Sequence, residues 1–171
     1  MTVTALNTRT EELPVKTGLD RKDRKMLAEL MERALASTYV LYHKTQAFHW
    51  NVTGPLFYSV HNMTETHYKD MAEAIDDIAE RIRAIGFTPA TSLQKYIQDS
   101  IVQDVNEMPD AYDMIAELAA DHQAVATQLR TVVQEAENVD DVFSADLLTA
   151  RIGAHEEAAW MLNAIVTDSP R

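Results

Sequence analysis

Residues 57–86 read FYSVHNMTETHYKDMAEAIDDIAERIRAIG, and the spacing of their apolar side chains decides the fold. At 100° per residue, Met71, Ile75, Ile78, Ile82 and Ile85 fall within roughly 60° of Val60, a stripe suited to the buried face of a helix. His67 lands in the same stripe, which predicts a packed core role for it. Gly86 closes the run as a C-terminal glycine. The reading is one long helix over 57–85.

The same period recurs on either side. Asp20 is placed to cap a helix over 21–50, in which Leu27, Leu30, Met31, Ala34, Leu35 and Tyr42 recur at threes and fours, and Gly54-Pro55 supplies a stop. The segment 87–107 is irregular, with a short helical piece near 93–97. Pro109 suits the first turn of a third long helix. Its stripe runs through Tyr112, Ile115, Leu118, Ala119, His122, Val125, Ala126, Leu129 and Val132, and the acidic run from Glu135 to Asp141 ends it. A fourth helix over 141–166 carries Leu148, Ile152, His155, Ala159 and Leu162 on one face. Four long amphipathic helices predict an all-α four-helix bundle with a short extra helix in the link between the second and third. Residues 1–18 have no helical period and read as a flexible tail, leaving 19–171 as the bundle domain.

Composition agrees and excludes much else. The chain has 171 residues, enough for one domain with a substantial core, and its four glycines and five prolines are too few for many tight strand turns. There is no cysteine, so disulfides and thiolate ligands are excluded. No basic then apolar leader opens the sequence, and no apolar run reaches the roughly eighteen residues that span a bilayer. These features predict a cytoplasmic protein without membrane contact. A net charge of −12 argues against non-specific nucleic-acid binding and suits the gathering of cations.

The helix over 57–85 also carries chemistry. His61 and Glu65 are four apart, as are Asp76 and Glu80, so each couple shares a helix face and offers donors for a hard or borderline ion. The couples are offset by fifteen positions, roughly 22 Å along a continuous helix. One ion cannot bridge that distance. Either the helix breaks, or two chains share the site. The four lie roughly 100° to 200° from Val60, largely away from the monomer's own core, which favours a site between subunits. In an antiparallel pair of identical helices, His61–Glu80 and Glu65–Asp76 are centred on the same point, between Asp70 and Met71. A two-fold axis there creates two equivalent sites. Ala72 and Ala79 on that face allow close approach. His43, His122 and His155, with no carboxylate pattern around them, read as structural residues.

His49-Trp50-Asn51-Val52, Gly54, Phe57, His61, Glu65, Asp76 and Ala79-Glu80-Arg81 together resemble the Dps family, the dodecameric mini-ferritins of starved or oxidatively stressed bacteria. The resemblance extends from about residue 20 to 167 and implies a ferritin-like bundle. It implies a ferroxidase centre at a two-fold interface with His49, His61, Glu65, Asp76 and Glu80 as iron ligands. In that picture His49 comes from one subunit and His61 lies across from it on the partner. It further implies Fe²⁺ and hydrogen peroxide as substrates, Fe³⁺ stored inside a homododecamer built from two-fold dimers, and Trp50 as a redox neighbour. Zn²⁺ suits the same ligands. The acidic group Glu137, Asp140, Asp141 and Asp146 resembles the lining of an iron-entry pore, with Asp141 and Asp146 as candidates.

Two features depart from family patterns. Position 65 is Glu where some members have Asp. The tail, with Arg9 and Lys16 against Glu11 and Glu12, lacks the lysine-rich character of members that bind DNA. Strong DNA binding at physiological salt is therefore not expected. The alternatives are a nucleoid-associated, DNA-protecting structural protein with a secondary iron role, and a helical scaffold without chemistry.

Overall fold

The computed structural model describes residues 12–167. Its elements are α1 (Arg21–Asn51), α2 (Phe57–Ala84), the short α3 (Leu93–Asp99), α4 (Ala111–Asn138) and α5 (Val142–Val166). Helix α1 packs along α2 and α4 along α5, while contacts of α1 with α4 join the two pairs and α3 rests on α1. This is the expected four-helix bundle with its extra helix in the expected link.

The apolar stripes meet inside. Leu27, Met31, Leu35, Leu41 and Phe48 of α1 face Val60, Met71, Ile78 and Ile82 of α2, Ile115, Leu118 and Leu129 of α4, and Leu148 and Leu162 of α5, all essentially inaccessible to water. Each such side chain contributes about 1.5–3 kcal/mol on leaving water, and helices of this length depend on that packing more than on propensity. Tyr112, placed on the α4 stripe, is exposed because it sits in the first turn. A polar cluster enters the core where the Lys44 ammonium donates to Glu117 (2.6 Å) and Asp121 (2.7 Å), so the buried cation is paired twice.

Helix ends correct two expectations. Asp20 occupies the N-cap position, but its side chain makes no cap hydrogen bond. Pro109 precedes α4, whose cap is Asp110, accepting from the Tyr112 and Asp113 amides. Pro109 lies just ahead of that cap and donates nothing. The expected tail 1–18 falls mainly on residues outside those described, but residues 12–18 are not free of the body. The Leu13 amide donates to the Gly86 carbonyl, and Glu12 accepts from the Arg21 guanidinium.

Gly86 is where α2, α1 and this segment meet. Its φ is +101°, and an added Cβ would stand 2.9 Å from both Arg24 Nη1 and the Leu13 carbonyl oxygen. Arg24 is held there, donating to the Ile85 carbonyl at 2.7 Å. Gly86→Ala is expected to cost more than about 1 kcal/mol, seen as a lower urea midpoint at unchanged m-value.

Candidate metal centre

Five residues connect α1 to α2, and their path sets the site. Val52 is buried and Gly54 has φ +85°, so the chain reverses within one short turn, with the Phe57 amide donating to the Gly54 carbonyl. The end of α1 and the start of α2 thereby lie side by side. His49 and His61 stack with ring centroids 3.8 Å apart and planes at 18°.

Their hydrogen bonds are reciprocal. His49 Nδ1 lies 2.8 Å from the His61 carbonyl oxygen, and His61 Nδ1 lies 2.9 Å from the His49 carbonyl oxygen. A carbonyl only accepts, so Nδ1 of each ring must carry the proton. Nε2 of each ring is then the nitrogen left to bind a metal. Phe57 stacks on His61 and Tyr68 meets His49 edge-on, so both rings are also fixed by packing. His49 is buried and His61 half-buried.

This corrects the expectation that His61 lies across from His49 on a partner. The two rings belong to one chain and touch, because the α1–α2 turn is short. Glu65, one turn further along α2, feels both imidazoles and pairs with Lys69 at 2.5 Å. The Lys69 hydrogen bond and charge hold the Glu65 carboxyl below its ordinary pKa, so it is anionic at neutral pH. The four-residue spacing of Lys69 from Glu65 is the sequence signal for this ion pair.

Asp76 and Glu80 are exposed, on a face of α2 away from the core. Helix α2 runs unbroken from Phe57 to Ala84, so nothing folds this couple back toward His61. Among the described residues of the single chain, no group of three or more His, Asp or Glu side chains is placed to hold an ion. The chain thus presents two half-sets of donors, one of His49, His61 and Glu65, the other of Asp76 and Glu80. Around the first half-set Trp50, Phe57 and Tyr58 are exposed, at 61%, 46% and 77%. Three large aromatics on the surface beside these side chains mark a face suited to burial by another surface.

The two pore candidates part company. Asp141 is buried, caps α5 through the Ser144 amide and hydroxyl, and pairs with Arg81 at 2.6 Å. Burial raises its carboxyl pKa, but the Arg81 and Ser144 hydrogen bonds together outweigh that and hold it below the ordinary value. Asp141 is therefore a structural anchor between α2 and α5, and further assembly can only bury it more. Asp146, Glu137 and Asp140 remain exposed, and Asp140 makes the α4–α5 turn at φ +59°. Asp141→Ala removes a cap and leaves Arg81 without its anion. A loss of about 2 kcal/mol is expected in denaturant unfolding. Arg81 stood in the sequence pattern only as part of Ala79-Glu80-Arg81, and its partner sixty residues away was not readable there.

Comparison with known proteins bears on this arrangement. The ferritin-like domain family matches residues 28–171. DNA protection during starvation protein 2 of Bacillus anthracis is 34% identical over 142 residues, covering 83% of this chain and 97% of the relative. An uncharacterised low temperature-induced protein of Nostoc is 35% identical, covering 91% and 88%. The crystal structure of a Dps protein from Bacillus brevis superposes with TM-score 0.82 at 30% identity, covering 86% of this chain and 99% of that one. That of a Dps protein from Vibrio cholerae, described as one of the ferritin-like diiron-carboxylate proteins, does so at 0.84 and 26%, covering 90% and 98%.

Proposed function

The chain belongs to the Dps family within the ferritin-like superfamily, and we propose that its two-fold dimers oxidise Fe²⁺ with hydrogen peroxide at sites shared between subunits. The observation that carries this reading is the reciprocal His49–His61 bonding, which leaves Nε2 of both rings free to receive an ion. The partner subunit would complete each site with a second half-set, Asp76 and Glu80, exposed on the outer face of α2.

The donor chemistry suits the substrate. Imidazole nitrogen accepts Fe²⁺, whereas the carboxylates of Glu65, Asp76 and Glu80 are hard donors that favour Fe³⁺ and so promote its formation. Two Fe²⁺ ions each give one electron to one peroxide. The O–O bond breaks, two protons are taken up, and two waters form. Because both electrons arrive together, no hydroxyl radical is released. Fe³⁺ would then pass to a mineral store inside a homododecamer, and the exposed carboxylates of Glu137, Asp140 and Asp146 would concentrate cations on the approach. Trp50, adjacent to His49 and exposed in the single chain, would take up a stray oxidising equivalent. Zn²⁺ fits the same donors and would act as a competitor.

Stopped-flow oxidation of Fe²⁺ by peroxide under anaerobic conditions tests this. Consumption of two Fe²⁺ per peroxide without spin-trapped hydroxyl radical supports it. One Fe²⁺ per peroxide with strong radical adducts, as in free solution, would overturn it.

Relatives of the chain are named for DNA protection during starvation. Removing Fe²⁺ and peroxide together protects DNA without any contact. With a net charge of −12, no shift of plasmid DNA is expected at about 0.15 M salt, and binding that survives a salt series would favour the nucleoid-associated alternative.

A further inference from the structure

Three histidines in the middle of the bundle take no part in the reading above. His67 of α2, His122 of α4 and His155 of α5 are 5%, 2% and 1% exposed. Ring centroids stand 5.6 Å apart for His67 and His122, and 5.1 Å for His122 and His155. Nδ1 of His122 lies 2.8 Å from Nδ1 of His155, so one ring donates to the other. Both nitrogens of His67 and Nε2 of the other two are buried without a hydrogen-bond partner.

Four orphaned nitrogens at one level of an apolar core are costly, at about 1–3 kcal/mol for each polar group left unsatisfied. Leucine or phenylalanine would fill that space with no such cost. The three rings line a cleft of about 190 Å³ together with Asp70 and Arg151. Burial holds all three imidazoles below their ordinary pKa, so each is neutral at pH 7 and keeps one lone pair. The Arg151 charge is paired with the Asp70 carboxylate at 3.0 and 2.5 Å through Nη1 and Nη2, its Nε lacking a partner. A nitrogen-rich, neutral donor set with one carboxylate nearby matches a borderline divalent ion.

We propose that each subunit holds a second metal site inside its own bundle, where His67, His122 and His155 bind a divalent transition ion such as Fe²⁺ or Zn²⁺. In the chain as it stands the donors do not converge on one point. For His122 and His155 the change required is small, whereas His67, whose ring centroid stands 5.6 Å from that of His122, must turn toward them. Metal–nitrogen bonds of about 2.0–2.1 Å in a tetrahedral site put donor nitrogens roughly 3.3 Å apart. The two Nδ1 atoms, now 2.8 Å apart, need only separate by a few tenths of an ångström each. The ion replaces the proton between them, that proton moves to Nε2 of the same ring, and one of the two unpartnered nitrogens of His67 supplies the third donor. The site needs no partner subunit and does not depend on the peroxide reaction.

Co²⁺ titration of a His61→Ala/Asp76→Ala protein, in which the intersubunit donors are broken, tests the proposal. About one Co²⁺ per subunit with visible d–d absorption of an imidazole-rich site is expected. Adding His122→Leu and His155→Leu should abolish that absorption while the far-ultraviolet dichroism stays helical. The milder His67→Gln should weaken Co²⁺ affinity at least tenfold should the double-leucine protein fail to fold. No Co²⁺ retained in the broken background, or an unchanged spectrum in the leucine or glutamine variants, would overturn it. Metal-soaked crystals showing only ordered water between the rings would do the same.

Discussion

Co-assembly of His61→Ala with Asp76→Ala subunits is expected to restore Fe²⁺ oxidation that neither variant supports alone. His61→Ala removes a nitrogen donor and the carbonyl-locked partner of His49. Asp76→Ala removes an exposed carboxylate from the other half-set. Loss of a group that only orients a ligand already costs about 10–100-fold, so loss of a ligand should cost at least that in each homogeneous assembly. In a mixed two-fold dimer, one site receives intact His49, His61 and Glu65 from the Asp76→Ala chain and intact Asp76 and Glu80 from the His61→Ala chain. The other site carries both lesions. Random pairing should therefore return about a quarter of the native rate. A site built within one chain predicts no recovery at any mixing ratio, and that result would end the shared-site reading.

The second large effect is loss of stability in acid for the metal-free protein. Burial, first, and the nearby Arg151 charge push the His155 imidazole down to about 3, while His122 is driven well below its ordinary value and His67 is lowered too. The unfolded chain binds these protons near pH 6.5, and the folded chain does not. Between pH 6.5 and 3 the unfolded state thus holds more protons, so stability is full above 6.5 and falls as pH is lowered. Each histidine fully inside that window costs about 1.4 kcal/mol per pH unit. At pH 4.5 His155 alone should have removed roughly 2–3 kcal/mol, and His122, also lowered by burial, acts in the same direction. Glu32 and Asp121, whose carboxyls burial raises, act in the opposite sense, from their raised folded values down to their ordinary range. Urea midpoints between pH 7 and 4.5 measure the slope, and His155→Gln should flatten it. A flat profile in the unmodified protein would mean the rings are hydrated or already charged in the fold.

Much of the architecture was legible because helices write their burial into the sequence at a period of 3.6 residues. The stripe from Val60 to Ile85 gave α2 to within a residue, and the outward placement of Asp76 and Glu80 followed from the same angle count. Helix ends were less legible. Asp20 has a capping side chain that makes no cap bond, and whether such a bond forms depends on the turn before it. Asp141 read as a pore carboxylate because acidic residues near a helix start look alike in sequence. Its engagement with Arg81 depends on how α2 passes α5.

By itself, then, the sequence determined the helices, their buried faces and the separation of the two donor couples along α2. Each of those is a property of one segment, set by its own spacing. Only the tertiary structure decided that His49 and His61 lock each other's protons within one chain, that Asp141 is sequestered, and that His67, His122 and His155 meet. Spacing fixes the direction a side chain takes from its own helix. It does not fix the level at which one helix stands beside another, and that level is set by packing the whole core at once.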